Sequence, residues 1–409
     1  MNLLRYLCFF PSFTFGLSAA EIFPYALLYG IVTTRRAKLE LILFVLCLFL
    51  SALYANLITE GGSITREMIR SMMAYLNPLV IFAVVLRLPD REYEKLLVVA
   101  RHVFIALCIV MVMQWSSLFG FLDSLIKAFV PRGSATPLGF RGVTLLATEP
   151  ARAGIEFIFL YLIARSFWIS KNRISISDLL VGFSILTIFK SASTLFIFGI
   201  FLTMFNPRLL LWGIPVAMYG IVQNLDVLSG RAFTLIGDLI ALPLEDSLFL
   251  IINTSGNRVI SIFAAIQYGF EYPFGGGIGN WQETSVEALF LTGYDYTQLN
   301  YFNAEWKEGA LHFRASGYMM NLMMDMGIVG TSLATLTILA LTRKFRTQSR
   351  AKRMVFYFFL LNIFFVGSVG TPVAWIATAL LLRSTTNPLA HAEECVPQDL
   401  AKTQPVGTL

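Results

Sequence analysis

Long apolar runs recur along almost the whole chain, and they constrain its fold more than any other feature. A helix needs about 17–25 mostly apolar residues to cross a bilayer. Seven runs reach that length, at 38–57, 71–87, 96–119, 151–169, 208–226, 317–342 and 354–371. Five shorter runs, at 3–17, 19–34, 177–190, 193–206 and 372–383, can cross only where the helix is steep or the bilayer is locally thinned. The pattern predicts an all-α polytopic membrane protein of about twelve transmembrane helices.

The composition excludes an ordinary soluble domain. Of 409 residues, 56% are hydrophobic and 14% charged, and the mean hydropathy is +0.70, so too little polar surface remains to face water. The formal charge of +6 is typical of cytoplasmic loops in membrane proteins, and we do not interpret it as nucleic-acid binding. The four cysteines form no CxxC pair, which argues against disulfides and a zinc site. The stretch MNLLRYLCFF has no small-residue cleavage site after it, so we expect a first span rather than a secretion signal.

Basic clusters set the expected orientation. They lie at 35–38, 87–101, 171–173, 208 and 343–353, between alternate apolar runs. The positive-inside rule places them all in the cytoplasm together with both termini. Residues 1–385 then form a single transmembrane domain, and the polar residues 386–409 form a disordered cytoplasmic tail. The segment 226–315 becomes a large periplasmic loop, which is long enough to be functional and to contain short helices.

One stretch of this loop has helical periodicity. In SGNRVISIFAAIQYGF (255–270), an apolar stripe recurs at helical spacing, formed by Val259, Ile262, Phe263 and Ile266. We therefore expect a helix that covers the outer mouth of the bundle and holds Arg258 in its first turn.

The stretch EYPFGGGIGNW (271–281) carries four glycines in five positions. No strand precedes them, which excludes a dinucleotide-binding loop. Glycine accepts positive φ and lets other backbone approach closely, so this turn can press against the bundle or a ligand. We expect it to form the floor of an outer-face active site.

Cations that break the positive-inside pattern are the informative ones. On the outer side we place Arg66, Arg70, Lys127, Arg132, Arg141, Arg152, Lys190, Arg231, Arg258 and Arg314. Solvated loop cations explain Arg66, Lys127 and Arg231 well. Arg152 and Lys190 stand at the edges of apolar runs, where a cation needs an aqueous cavity or a partner. An ion pair of Arg152 with Glu149 or Glu156 explains Arg152 equally well.

Together these cations predict an anionic ligand at the outer membrane boundary. The planar guanidinium group donates two hydrogen bonds to two phosphate oxygens at once. A diphosphate attached to a lipid lies at this depth. The residues therefore predict an external cavity, lined with arginine, for a phosphorylated lipid.

Several motifs occur in a fixed order between about 130 and 330. They are RGVTLLATEPARAG (141–154), with Arg141 and Glu149-Pro150; KSAST (190–194); the Arg258 helix; the turn Pro273–Trp281; Ser316-Gly317; and Asp325–Gly330. Each motif alone has low specificity. Their order, their spacing and their expected position on the same side of the membrane make the set more specific. The set resembles the O-antigen polymerase and ligase superfamily, the Wzy-type polymerases above all.

The resemblance implies a GT-C-like fold and a glycosyltransferase in the bacterial inner membrane, with its active site facing the periplasm. Such an enzyme polymerises undecaprenyl-diphosphate-linked oligosaccharide repeats into a surface polysaccharide. We assign Arg258 and Arg314 to the diphosphate, with Arg141 or Arg152 as a third contact. Glu149 is the first candidate to orient or deprotonate the incoming hydroxyl, and His312 is the second.

Further substrate contacts are expected from Lys190, Ser316 and Trp281. The outer segments contain no DxD motif, so we expect no metal and no other cofactor. Membrane lipid is an expected partner, and a chain-length regulator is a further candidate. An ion pair for Glu149 and an ordinary loop position for His312 remain open alternatives.

One departure separates the two branches of the superfamily. The ligases carry a His-Asn pair where this chain has Ser316-Gly317, and that histidine is thought to be their catalytic base. The departure favours a polymerase over a ligase that transfers polymer to lipid A core. A lipid-linked oligosaccharide flippase is the alternative from another class, but it is expected to show related halves and central charges. The chain shows no internal repeat.

Overall fold

The computed structural model describes residues 2–14, 22–33, 39–58, 65–118, 120–130, 133–134, 136, 142–168, 176–205, 243, 258–293 and 313–384. Every regular element among them is a helix, which confirms the predicted all-α fold for this part of the chain. The helices are α1 (Asn2–Leu7), α2 (Tyr25–Thr33), α3 (Leu39–Ile58), α4 (Arg66–Val85), α5 (Asp90–Trp115), α6 (Asp123–Phe129), α7 (Pro150–Trp168), α8 (Ile176–Ser184), α9 (Ala192–Phe205), α10 (Arg258–Glu271), α11 (Trp281–Leu291), α12 (Tyr318–Arg346), α13 (Arg350–Phe365) and α14 (Val373–Arg383).

Three of the described helices, α4, α5 and α12, are long and apolar enough to cross a membrane. The predicted span at 208–226 and the tail 386–409 lie outside the described residues. The predicted span at 3–17 is wrong, because α1 has six residues and rises only about 9 Å. The described part of the chain is therefore helical and has three helices that could cross a membrane, and the number of about twelve spans stays a prediction.

Two of the predicted basic clusters lie at one end of the helix bundle. Arg383, at the end of α14, binds Asp90 at the start of α5, with 2.6 Å between Nη2 and Oδ1. Arg5 of α1 pairs with Glu92. Lys352 of α13 donates to the Ser384 carbonyl at 2.7 Å. The clusters at 87–101 and 343–353 thus meet at one end, which we call the basic end.

Helix α10 buries a face that only partly overlaps its apolar stripe, since Ile262 and Ile266 pack against the core. Its buried residues are Ile260, Ser261, Ala264, Ala265, Tyr268 and Gly269, whereas Phe263 of the predicted stripe is 53% exposed. Small residues let α10 approach α12 so closely that a Cβ on Gly269 would lie 2.5 Å from Met323 Cγ.

The glycine turn locks into a break in α12. Gly327 has φ +62° inside that helix, so the local ladder of helical hydrogen bonds is interrupted. The turn supplies replacements, because Gly276 N donates to the Met324 carbonyl at 3.0 Å and Gly277 N to the Asp325 carbonyl at 2.9 Å. Val329 N in turn donates to the Pro273 carbonyl at 3.1 Å. The sequence predicted that these glycines press either against the bundle or against a ligand, and the structure shows them packed against the bundle.

Candidate active site

A cavity of about 870 Å³ opens at the end of the bundle opposite the basic end. Its walls come from the first three turns of α4 and from the starts of α7, α10, α11 and α12. Residues 22–24, 313–317 and the segment 366–369 after α13 complete the lining. Helix α12 begins at the cavity and ends in the basic cluster, so about 35–40 Å separate the two along its axis.

The charged groups of the lining give the cavity a positive potential. Four arginines line it, Arg70, Arg152, Arg258 and Arg314, against the two glutamates Glu67 and Glu149. Five of the described helices also begin at its wall. The N-terminus of each helix presents unpaired N–H groups and about half a positive charge. Charge and helix direction both favour an anionic ligand here.

Arg314 is held in place by groups from three helices. Its Nη2 donates to Ser71 Oγ of α4 at 3.0 Å, and its guanidinium lies 4.5 Å from the ring centroid of Trp281. Its Nη1 lies 3.8 Å from Oδ2 of the buried Asp325, and 36% of the Arg314 side chain stays exposed. Asp325 is itself satisfied by the Tyr75 hydroxyl at 2.6 Å. A guanidinium fixed in this way keeps free donors toward the cavity and needs little reorganisation to bind an anion.

Arg258 and Glu149 form a second, more exposed group. Arg258 Nη2 lies 4.0 Å from Glu149 Oε2, and their side chains are 39% and 48% exposed. Arg258 also donates to Ser193 Oγ in the first turn of α9. The KSAST segment therefore reaches the site through its serine. An accessible carboxylate beside an arginine can accept a hydrogen bond from a substrate hydroxyl.

Arg152 lies against the wall between α7 and the end of α13. Its Nη1 donates to Thr148 Oγ1 at 2.7 Å, and its Nε donates to Ser368 Oγ at 3.3 Å. Thr148 lies one turn before Arg152 and Ser368 follows α13, so these bonds tie the guanidinium to two segments of the wall.

Six of the nine predicted site residues line this cavity, namely Glu149, Arg152, Arg258, Arg314, Ser316 and Trp281. Arg141 and His312 lie outside the described residues. Lys190 does not line the cavity. It has left-handed backbone geometry, with φ +49°. The segment that begins at Gly142 packs beside this turn, where Val143 N donates to the Ile188 carbonyl at 3.1 Å.

The glycine turn does not form the floor that the sequence predicts. Gly275, Gly276, Gly277 and Gly279 are absent from the cavity lining, because they are engaged with α12 and α4. Gly279, for example, lies so close to α4 that a Cβ would be 2.8 Å from Met68 Cα. The turn instead delivers Trp281, the first residue of α11, to the cavity wall.

Three polar residues of α4, Glu67, Ser71 and Asn77, are the part of the site that sequence reasoning missed, whereas Arg70 was expected among the outer cations. Glu67, Arg70, Ser71 and Asn77 all line the cavity. Asn77 is buried, accepts from Leu27 N at 2.8 Å and donates to the Gly370 carbonyl at 2.7 Å. The spacing of these residues puts them on one helical face, and this face is the signal that could have identified them.

The described residues contain no group of three or more His, Cys, Asp or Glu side chains that could hold a metal ion. Comparison of the chain with family models, curated proteins and solved structures found no match. The chemistry of the site therefore has to be argued from its geometry.

Proposed function

We propose that this protein is a glycosyltransferase that polymerises undecaprenyl-diphosphate-linked oligosaccharide repeats into O-antigen or a related surface polysaccharide. The observation that carries the proposal is the single cavity in which Arg152, Arg258, Arg314 and Glu149 meet. Had these side chains pointed to separate surfaces, a diphosphate could not have bridged them. Guanidinium pairs with phosphate in a bidentate geometry, and four arginines provide the charge for a diphosphate.

The cavity also has a wall suited to a lipid. Ile22, Phe23, Pro24, Val366 and Val369 line one part of it, and a Cβ on Gly370 would lie 3.4 Å from both Ile22 and Ala74 in this wall. An apolar wall beside an arginine wall fits an amphiphile whose phosphates join a polyprenyl chain to a sugar.

The charged groups suit the reaction. A hydroxyl of one repeat attacks the anomeric carbon of the growing chain, a new C–O bond forms, and the bond to the diphosphate oxygen breaks. The electron pair leaves with undecaprenyl diphosphate, and Arg258 and Arg314 stabilise the charge that develops on it. Glu149 accepts the hydroxyl proton or orients the hydroxyl. Ser316 and Trp281 position the glycan, and no metal takes part.

The positive-inside rule orients the molecule. With the basic end in the cytoplasm, the cavity opens toward the periplasm of a bacterial inner membrane. This is the side on which lipid-linked repeats await polymerisation.

Deletion of the gene and gel analysis of the surface glycan test the proposal. Single-repeat bands indicate a polymerase, unattached polymer indicates a ligase, and cytoplasmic intermediates indicate a flippase. Complementation with Arg258→Ala should give no long chains although the protein reaches the membrane, because removal of one oriented charge commonly costs about 10²–10³ in rate. Arg350→Ala, at the exposed basic end, is the matched control and should restore them. Normal chain lengths with Arg258→Ala contradict the proposal.

Metal independence is tested separately in membranes. Activity should persist in EDTA. Loss of activity in EDTA with recovery on addition of magnesium contradicts a reaction that relies on arginine alone.

A further inference from the structure

A groove of about 540 Å³ lies between α1 and α5 at the basic end, at the opposite end of the bundle from the main cavity. Its lining combines the charged side chains of Arg5, Arg91, Glu94 and Lys95 with Tyr6 and Val98. Beside it, Tyr6 Oη and His102 Nδ1 are 3.0 Å apart, so α1 is tied to α5. The reaction proposed above uses none of these residues.

The groove carries an excess of positive charge. Three cations line it, Arg5, Arg91 and Lys95, against the carboxylate of Glu94. Arg5 and Lys95 share a second carboxylate, that of Glu92, so one of their two charges stays uncompensated. Arg91 is exposed, and no hydrogen bond or ion pair with another described residue engages it. The groove therefore has charged donors available for an anion.

The charged face of α5 continues as an apolar one. At 100° per residue, the face that carries Arg91 and Lys95 also carries the side chains of Val98, Ile105, Ile109 and Val112. These four are between 44% and 53% exposed, and α5 is one of the helices that could cross a membrane. Exposed apolar side chains on such a helix contact acyl chains. Lys95 precedes Val98 by about 4.5 Å along the axis, which is the depth of lipid headgroups when α5 spans a bilayer.

We propose that this groove binds an anionic phospholipid, with the phosphate at Arg91 and Lys95 and an acyl chain along the Val98 face of α5. Basic pockets between membrane helices are suited to anionic headgroups. A free phosphate would make no use of the apolar face. A zwitterionic lipid would bring its own cationic group next to Arg91. The bound lipid would bridge α1 and α5, and this inference does not depend on the polymerase proposal.

Native mass spectrometry of the full-length protein, delipidated in detergent, tests the site. The probes are dioleoyl phosphatidylglycerol, which is anionic, and dioleoyl phosphatidylcholine, which has the same acyl chains and no net charge. The anionic lipid should bind the wild type about fivefold or more tightly than the zwitterionic lipid does. Arg91→Gln combined with Lys95→Gln should weaken phosphatidylglycerol binding about 25-fold, because each basic side chain near the headgroups contributes about fivefold. Arg350→Gln, exposed at the basic end and outside the groove, is the matched control and should bind as the wild type does.

Glu94→Gln gives an independent variant, because it removes a carboxylate from the lining. It should raise the affinity for phosphatidylglycerol about fivefold, a gain that misfolding does not produce. The effect of the Arg91 and Lys95 substitutions should persist in an Arg314→Ala background, because distant sites contribute additively.

Three results overturn the proposal. The first is equal affinity of the wild type for the two lipids, or unchanged affinity for phosphatidylglycerol in the double variant. The second is competition by glycerol 3-phosphate as strong as that by phosphatidylglycerol, which indicates a site for free phosphate. The third is loss of the effect in the Arg314→Ala background, which assigns the bound lipid to the main cavity.

Discussion

Gly275→Ala and Gly293→Ala form a matched pair that tests how the glycine turn holds the break in α12. Both glycines have positive φ, +72° and +68°. A Cβ on Gly275 would lie 2.5 Å from Met326 N and 2.6 Å from the Asp325 carbonyl carbon, whereas one on Gly293 would meet no atom of the described residues within 4 Å. Because the atoms near Gly275 are backbone, no rotamer change can relieve the clash.

The magnitude follows from the difference between the two sites. Left-handed backbone costs an alanine about 1 kcal/mol at either position. Overpacking adds about 1–3 kcal/mol at Gly275 alone. Gly275→Ala should therefore lower Tm by about 2–12 °C more than Gly293→Ala does. Thermal unfolding in detergent measures both variants, and equal losses of Tm would refute the reasoning that the turn is clamped against α12.

Two further variants probe the groups behind the cavity wall. Asp325→Asn removes the charge partner of Arg314, so the affinity for pyrophosphate should fall about 3–10-fold in titration calorimetry. An unchanged affinity would mean that Asp325 does not position the arginine. Asn77→Ala breaks two buried hydrogen bonds, to Leu27 N and the Gly370 carbonyl, and should lower the free energy of unfolding by about 2–4 kcal/mol. A loss below about 0.5 kcal/mol in denaturant titration would show that these bonds contribute little.

The helices were largely predictable from the sequence because their signals are local. Helix α12 begins at Tyr318, one residue after the predicted start of the run 317–342. Arg258 opens α10, within the predicted first turn. The gathering of arginines at the cavity was also predictable in part, because a cation at the edge of an apolar run needs a cavity or a partner.

Other features depend on contacts between distant segments, which one sequence does not reveal. Tyr75 and Asp325 are 250 positions apart, and no local pattern indicates that they meet beneath Arg314. The apolar stripe of α10 did not reveal that Ser261, Ala264 and Ala265 are buried while Phe263 is exposed. The pairing of Glu149 with Arg258 rather than with a nearby residue of α7 likewise required the tertiary structure.

Binding of inorganic pyrophosphate to the purified protein tests the central claim most directly. Titration calorimetry on the wild type should give saturable binding at low ionic strength. Arg258→Ala and Arg314→Ala should each bind about 10–100-fold more weakly, since a hydrogen bond to a charged group contributes about 1.5–3 kcal/mol. Arg350→Ala at the basic end should bind as the wild type does. Undetectable binding to the wild type, or equal affinity in all four proteins, contradicts an arginine-lined diphosphate site.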